Sequence, residues 1–127
     1  MEGYCSRTSI RAGDRLAVYV STDPPAEYTV DIYRMGYYGG TGGRLMRSLG
    51  PFQGAAQPTP DDGPHNVRES QWKEGFGLQI PRDWVSGVYL GKLTTRQTGG
   101  ESYMVFIVRE DRKADLVFQS SDMTWLA

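Results

Sequence analysis

The chain offers one thiol, Cys5, and one imidazole, His65, as its nucleophile and general base. A Cys–His pair could open an acyl bond if the fold brought the two together. They stand 60 positions apart, and neither sits in a nucleophile motif. The expectation is no Cys–His dyad and a surface-loop histidine. The stretch PDDGPHNVRE places Asp61, Asp62, His65 and Glu69 close together as possible metal ligands. Their spacing matches neither a zinc site nor a calcium loop, and Asp-Asp-Gly is turn chemistry. No metal and no cofactor are expected.

Residues 31–43, DIYRMGYYGGTGG, run an alternating strand into two tyrosines and then four glycines within five positions. The glycines lack the GxxxxGKS or GxxxxGKT order of a phosphate loop. They permit backbone angles that other residues avoid, which predicts a tight, close-packed hairpin or crossover. The large aromatics Tyr33, Tyr37, Tyr38, Trp72, Trp84 and Trp125 are the candidate binding residues. Gathered on one surface they would make a platform for a sugar ring, and a carbohydrate-binding module is the alternative reading. Large aromatics in a β-rich chain more often fill a core or anchor an interface, and packing is the leading reading.

The elements that must position these residues are strands. In RLAVYVST, Leu16, Val18 and Val20 alternate with Ala17 and Tyr19, and in EYTVDIYR, Tyr28, Val30 and Ile32 share one face. The opening EGYCSRTSI reads as an edge strand or ordered arm. RLMRSL predicts a short strand, 50–64 a long loop, and HNVRESQWKEG and FGLQI two further strands with Trp72 as an apolar anchor. VYLGKLTT and SYMVFIVR form a hairpin around the RQTGGE turn. Seven to nine short strands without a clear helix predict an all-β chain, an immunoglobulin-like Greek-key β-sandwich over residues 1–112.

The last strand carries an unusual pattern. Met104, Phe106 and Val108 share one face, while Tyr103, Val105 and Ile107 share the other, so both faces are apolar. A two-layer sandwich needs one apolar face per sheet, and something else is expected to cover the second. After the charged hinge REDRKA comes DLVFQSSDMTWLA, which predicts one further strand within residues 113–127, belonging to a neighbouring domain or exchanged between copies.

The totals exclude several classes. Fourteen basic and 15 acidic side chains leave a net charge of -1. Arg109, Arg112 and Lys113 are interleaved with Glu110, Asp111 and Asp115, so no basic stripe marks a nucleic-acid partner. No apolar run approaches the roughly 20 residues of a membrane helix. The start, MEGYCSRTSIRAG, lacks the basic and apolar regions of a signal peptide, and a cytoplasmic setting is expected.

Three stretches, DIYRMGYYGGTGGRLM, PRDWVSGVYLGKL and SYMVFIVREDRKADLVFQSSDMTW, resemble the large (β) subunit of N,N-dimethylformamidase and its relatives. The resemblance runs over nearly the whole chain. It implies an N-terminal immunoglobulin-like region preceding a ThuA-like α/β catalytic domain that hydrolyses an amide at an iron held by tyrosine and glutamate. Those ligands belong to the catalytic domain, and no position here inherits them, Tyr37 and Tyr38 included. The expectation is a non-catalytic accessory module whose partner is that catalytic domain or a second copy of the chain.

Overall fold

Eight strands build the chain over residues 1–121, the part that the computed structural model describes. They are β1 (Glu2–Cys5), β2 (Ser9–Arg11), β3 (Arg15–Ser21), β4 (Glu27–Met35), β5 (Gly43–Gln53), β6 (Glu74–Gln79), β7 (Gly87–Thr95) and β8 (Glu101–Arg109). Two single turns of 3-10 helix, Tyr38–Gly40 and Pro64–Asn66, interrupt the loops. Among the described residues there is no α-helix. The strands form a three-stranded sheet in the order β1-β3-β6 and a five-stranded sheet in the order β2-β8-β7-β4-β5. All pairings are antiparallel except β2 with β8. The result is an open β-sandwich with a strand count inside the expected range.

The sequence alternation decides what faces inward. Leu16, Val18 and Val20 of β3, with Tyr28, Val30 and Ile32 of β4, are at most 2% exposed. Phe76 and Leu78 of β6, Tyr89 and Leu93 of β7, and Met104, Phe106 and Val108 of β8 join them in one core. Trp84, Tyr89 and Phe106 stack in series, with ring centroids 5.1 and 5.5 Å apart. Gly91 lies opposite Met104, and a Cβ there would collide with the methionine side chain, so the absent side chain makes room for a core residue. Burial of this kind supplies most of the folding free energy.

Two expectations about local structure are corrected. The strand expected at RLMRSL extends through GPFQ to an 11-residue β5, and the loop expected from residue 50 begins only after Gln53. Two register shifts against β4 each insert an extra residue into β5. They convert the usual period of two into three, so that Met46, Leu49 and Phe52 reach the core edge. Pro51 is tolerated because β5 is an edge strand, with no neighbour awaiting its missing N–H. Conversely, residues 65–73 form no strand. They belong to a loop over 54–73 whose one short pairing is the bridge between Asp62 and Arg68.

Candidate functional site

The single thiol and the single imidazole do not meet in a catalytic arrangement. Cys5 lies in β1, packed against the core, and burial pushes its thiol up to about 12, so at neutral pH it is protonated and unreactive. His65 is exposed in the turn Pro64–Asn66 with a backbone φ of 60°. Asp62 is committed to an ion pair with Arg68. Among the described residues no three His, Cys, Asp or Glu side chains converge as a metal site.

The five candidate aromatics among the described residues do not gather on one surface. Trp84 is a core residue, 6% exposed. Trp72 lies across the other sheet, tilted on Tyr4 at 5.3 Å, while Tyr4 stacks on Tyr19 at 5.0 Å. The Trp72 indole N–H donates to the Pro58 carbonyl at 2.9 Å, which pins the two ends of the 54–73 loop together. Tyr33, Tyr37 and Tyr38 share one end of the five-stranded sheet. Tyr37 is 83% exposed. Trp125 falls outside the described residues, as does the end of the strand expected in the tail; residues 115–121 carry no strand.

At that same end of the sheet a polar clamp gathers three chain segments. The Arg34 guanidinium donates twice to the Ser86 carbonyl, at 2.6 and 3.2 Å, and once to the Tyr38 hydroxyl at 2.8 Å. Ser86 in turn donates its backbone N–H to the Glu110 carboxylate at 2.5 Å, and Arg112 donates to the other carboxylate oxygen. The Ser86 N–H, followed by Arg112, holds the Glu110 carboxyl below the usual carboxylate range. The glycine stretch, the turn before β7 and the chain leaving β8 are thereby tied at one point.

The outer face of the five-stranded sheet runs beside this clamp. Strand register places Leu45, Tyr33, Leu90 and Val105 in one row across β5, β4, β7 and β8. Val88 and Ile107 pair in the next row toward the clamp, and Met35 lies on the same face at the end of β4. On the far side the rows turn polar. Asp31 accepts from Ser48 at 2.7 Å, and Lys92 pairs with Glu101 at 3.0 Å. Their mutual hydrogen bond raises Lys92 and lowers Glu101. Leu45 and Tyr103 are 53% and 51% exposed, and no layer covers this face among the described residues. Both faces of β8 are apolar, as its sequence predicts, and one of them meets solvent. Leu45, Leu90 and the Arg34 clamp were not singled out in the sequence. The signal for Leu90 was present in VYLGKL, where Val88 and Leu90 alternate with a second inward set.

A groove of about 630 Å³ lies between this face and the departing tail. One wall is Met35, Val88 and Ile107; the other includes Leu116, Val117 and Phe118. These three tail residues are 89%, 94% and 81% exposed. The arrangement offers an apolar surface with a polar margin, which is what a packing site needs.

Residues 29–127 match a family model described as N,N-dimethylformamidase beta subunit-like, C-terminal. The match covers β4 from its third residue onward, all of β5 to β8, and the tail. Its description places the region in the C-terminal part of that subunit, where the sequence reading had an N-terminal one. No curated protein matches the chain.

Proposed function

The chain belongs to the N,N-dimethylformamidase beta subunit-like family, and from that premise we propose that it is a non-catalytic packing module of a dimethylformamidase-like amide hydrolase. The observation that carries the reading is the uncovered apolar face of the five-stranded sheet. Its rows, Leu45–Tyr33–Leu90–Val105 and Val88–Ile107, lie outside the core formed by the described residues. Exposed apolar patches of this continuity mark surfaces that bind other proteins. In this reading the sandwich spans residues 1–112, residues 113–127 belong to the neighbouring domain or an exchanged strand, and the clamp at Arg34 fixes the direction in which the chain leaves β8. The sheet order β8-β7-β4-β5 supports calling the sandwich immunoglobulin-like, since the variable-type domain also adds a strand beside its central pair. The carbohydrate-binding alternative has less support, because among its described aromatics Trp84 lies in the core and Trp72 lies across the other sheet from the tyrosines.

Thermal unfolding of single lysine substitutions tests the proposal. Leu90→Lys and Val105→Lys on the outer face each cost no more than about 1 kcal/mol in a dilute sample, because the lysine head reaches water. Phe106→Lys, one residue from Val105 on the opposite face, prevents folding by burying an unpaired ammonium. If the outer-face variants are as damaging as Phe106→Lys, the face is a structural layer and the reading fails.

A further inference from the structure

No residue from Ala55 to Gly75 is buried, so the loop between β5 and β6 adds nothing to the core. Its place is decided by polar ties, and these fall into three groups. At the root, the Gly54 N–H donates to the Ala26 carbonyl at 2.9 Å. A Cβ on Gly54 would collide with the Thr22 side chain and that same carbonyl, so the root is locked. At the neck, the Gln57 N–H donates to the Ser21 hydroxyl at 3.0 Å, and the Gln57 side-chain amide exchanges two hydrogen bonds of 3.3 Å with the Lys73 backbone. The Trp72 indole, donating to the Pro58 carbonyl, completes the neck. At the tip, Asp62 pairs with Arg68, and the Gly63 N–H donates to the Val67 carbonyl at 2.9 Å. The tip closes on itself, whereas the neck closes on the sheet.

We infer that residues 58–72 form a preformed flap that swings as one body, latched by Gln57 and Trp72, with Trp72 capping the Tyr4–Tyr19 stack of β1 and β3. The inference concerns the three-stranded sheet and is independent of the packing face. A compact surface loop whose ends meet, as Pro58 and Trp72 do, is a unit of the Ω type. Pro58 and Pro60 stiffen its outgoing arm and have no N–H to tie down. Between the locked root and the latch lie Ala55 and Ala56, both small and exposed, and Lys73 is exposed on the return side; these are the hinges. The latch consists of neutral hydrogen bonds and one ring contact, so opening costs far less than unfolding. Opening lifts the Trp72 ring from Tyr4, which it meets at 5.3 Å, and leaves the Tyr4–Tyr19 stack facing water.

Amide hydrogen exchange of the 127-residue chain, read by NMR, separates a flap from a fraying loop. Trp72→Phe keeps a ring on Tyr4 and removes the indole N–H. In this variant the Gln57 and Lys73 amides, whose own hydrogen bonds are untouched, exchange about fivefold faster. Gln57→Ala removes the side-chain pairing with Lys73 and has the same effect on the backbone amide at position 57. In both variants the Gly63 amide and the β3 amides keep the parent's rates, because tip and sheet are not opened. Unchanged neck amides mean that there is no latch. A Gly63 amide that speeds by the same factor means fraying, and equal acceleration in β3 makes the loop part of the fold. Each of these three results overturns the inference. Nitration of Tyr4 reads the uncovering. Burial raises its hydroxyl above the ordinary tyrosine value, which suppresses the phenolate that tetranitromethane attacks. In Gln57→Ala, Tyr4 is nitrated about fivefold faster relative to the exposed Tyr37. A ratio equal to the parent's overturns the inference as well.

Discussion

Tyr28 places a hydroxyl in the core where, among the described residues, nothing accepts or donates to it. Its ring packs on Phe52 and Phe76, at 5.6 and 6.4 Å, and this packing is what the residue contributes. Tyr28→Phe therefore leaves stability unchanged or raises it, because an unpaired buried hydroxyl is removed while the ring stays. Denaturant titration checks this, and a loss above about 1 kcal/mol would show a hidden partner. The same side chain gives an alkaline signature. Burial pushes its hydroxyl up to about 12, so the folded state holds the proton more tightly than the unfolded chain does. That contribution is present below about pH 10 and is lost as pH rises toward the folded value; Tyr28→Phe flattens this limb. Glu110 behaves in the opposite sense. Its carboxyl is held low by the Ser86 N–H and Arg112, so its contribution is present above about pH 4.3 and fades as pH falls. Glu110→Gln makes the acid limb shallower than that of the parent.

At the scale of elements, the glycine stretch is a turn held by its neighbours. Gly39 adopts φ 68°, and a Cβ there would meet nothing within 4 Å. The cost of a side chain is thus backbone strain alone, about 1–2 kcal/mol and more for a β-branched residue. Gly39→Val lowers stability by at least that amount, measured by thermal unfolding, while Gly39→Asn, which tolerates the left-handed region, loses less. An unchanged Gly39→Val would mean that the turn rearranges freely. Arg34→Met removes the three donations to Ser86 and Tyr38 and frees the glycine turn from the start of β7. Protease nicking within residues 36–43 then rises before global unfolding does. The elements also show what the sequence could carry. β3 and β4 were legible because they alternate, the β7–β8 hairpin because two β-rich runs flank a glycine-containing turn, and β8 announced its second apolar face. β5 was not, because its two bulges replace period two by three, and Gly50 with Pro51 looked like the start of a loop. Trp72 looked like a strand anchor because a large apolar residue in a β-rich run usually is one. Its indole instead pins a loop to Pro58, a role set by a residue 14 positions away.

For the whole molecule, the sandwich class was legible from strand count and turn spacing, and the family from three stretches of the sequence itself. The location of the candidate site was only half legible. The two-faced β8 pointed to an outer surface, but the row Leu45–Tyr33–Leu90–Val105 exists only once four strands are in register. The Arg34 clamp likewise needs residues 34, 86 and 110 brought together, separations that no local pattern encodes. What results is a molecule whose only thiol is partly buried against the core and whose only imidazole lies in a surface turn, while its uncommitted apolar surface faces outward. That distribution suits the packing role proposed above. The most direct measurement of this account is dimethylamine release from N,N-dimethylformamide by the purified chain, with ferrous iron supplied. The account predicts release indistinguishable from a protein-free control; turnover that scales with protein and stops on iron chelation would contradict it.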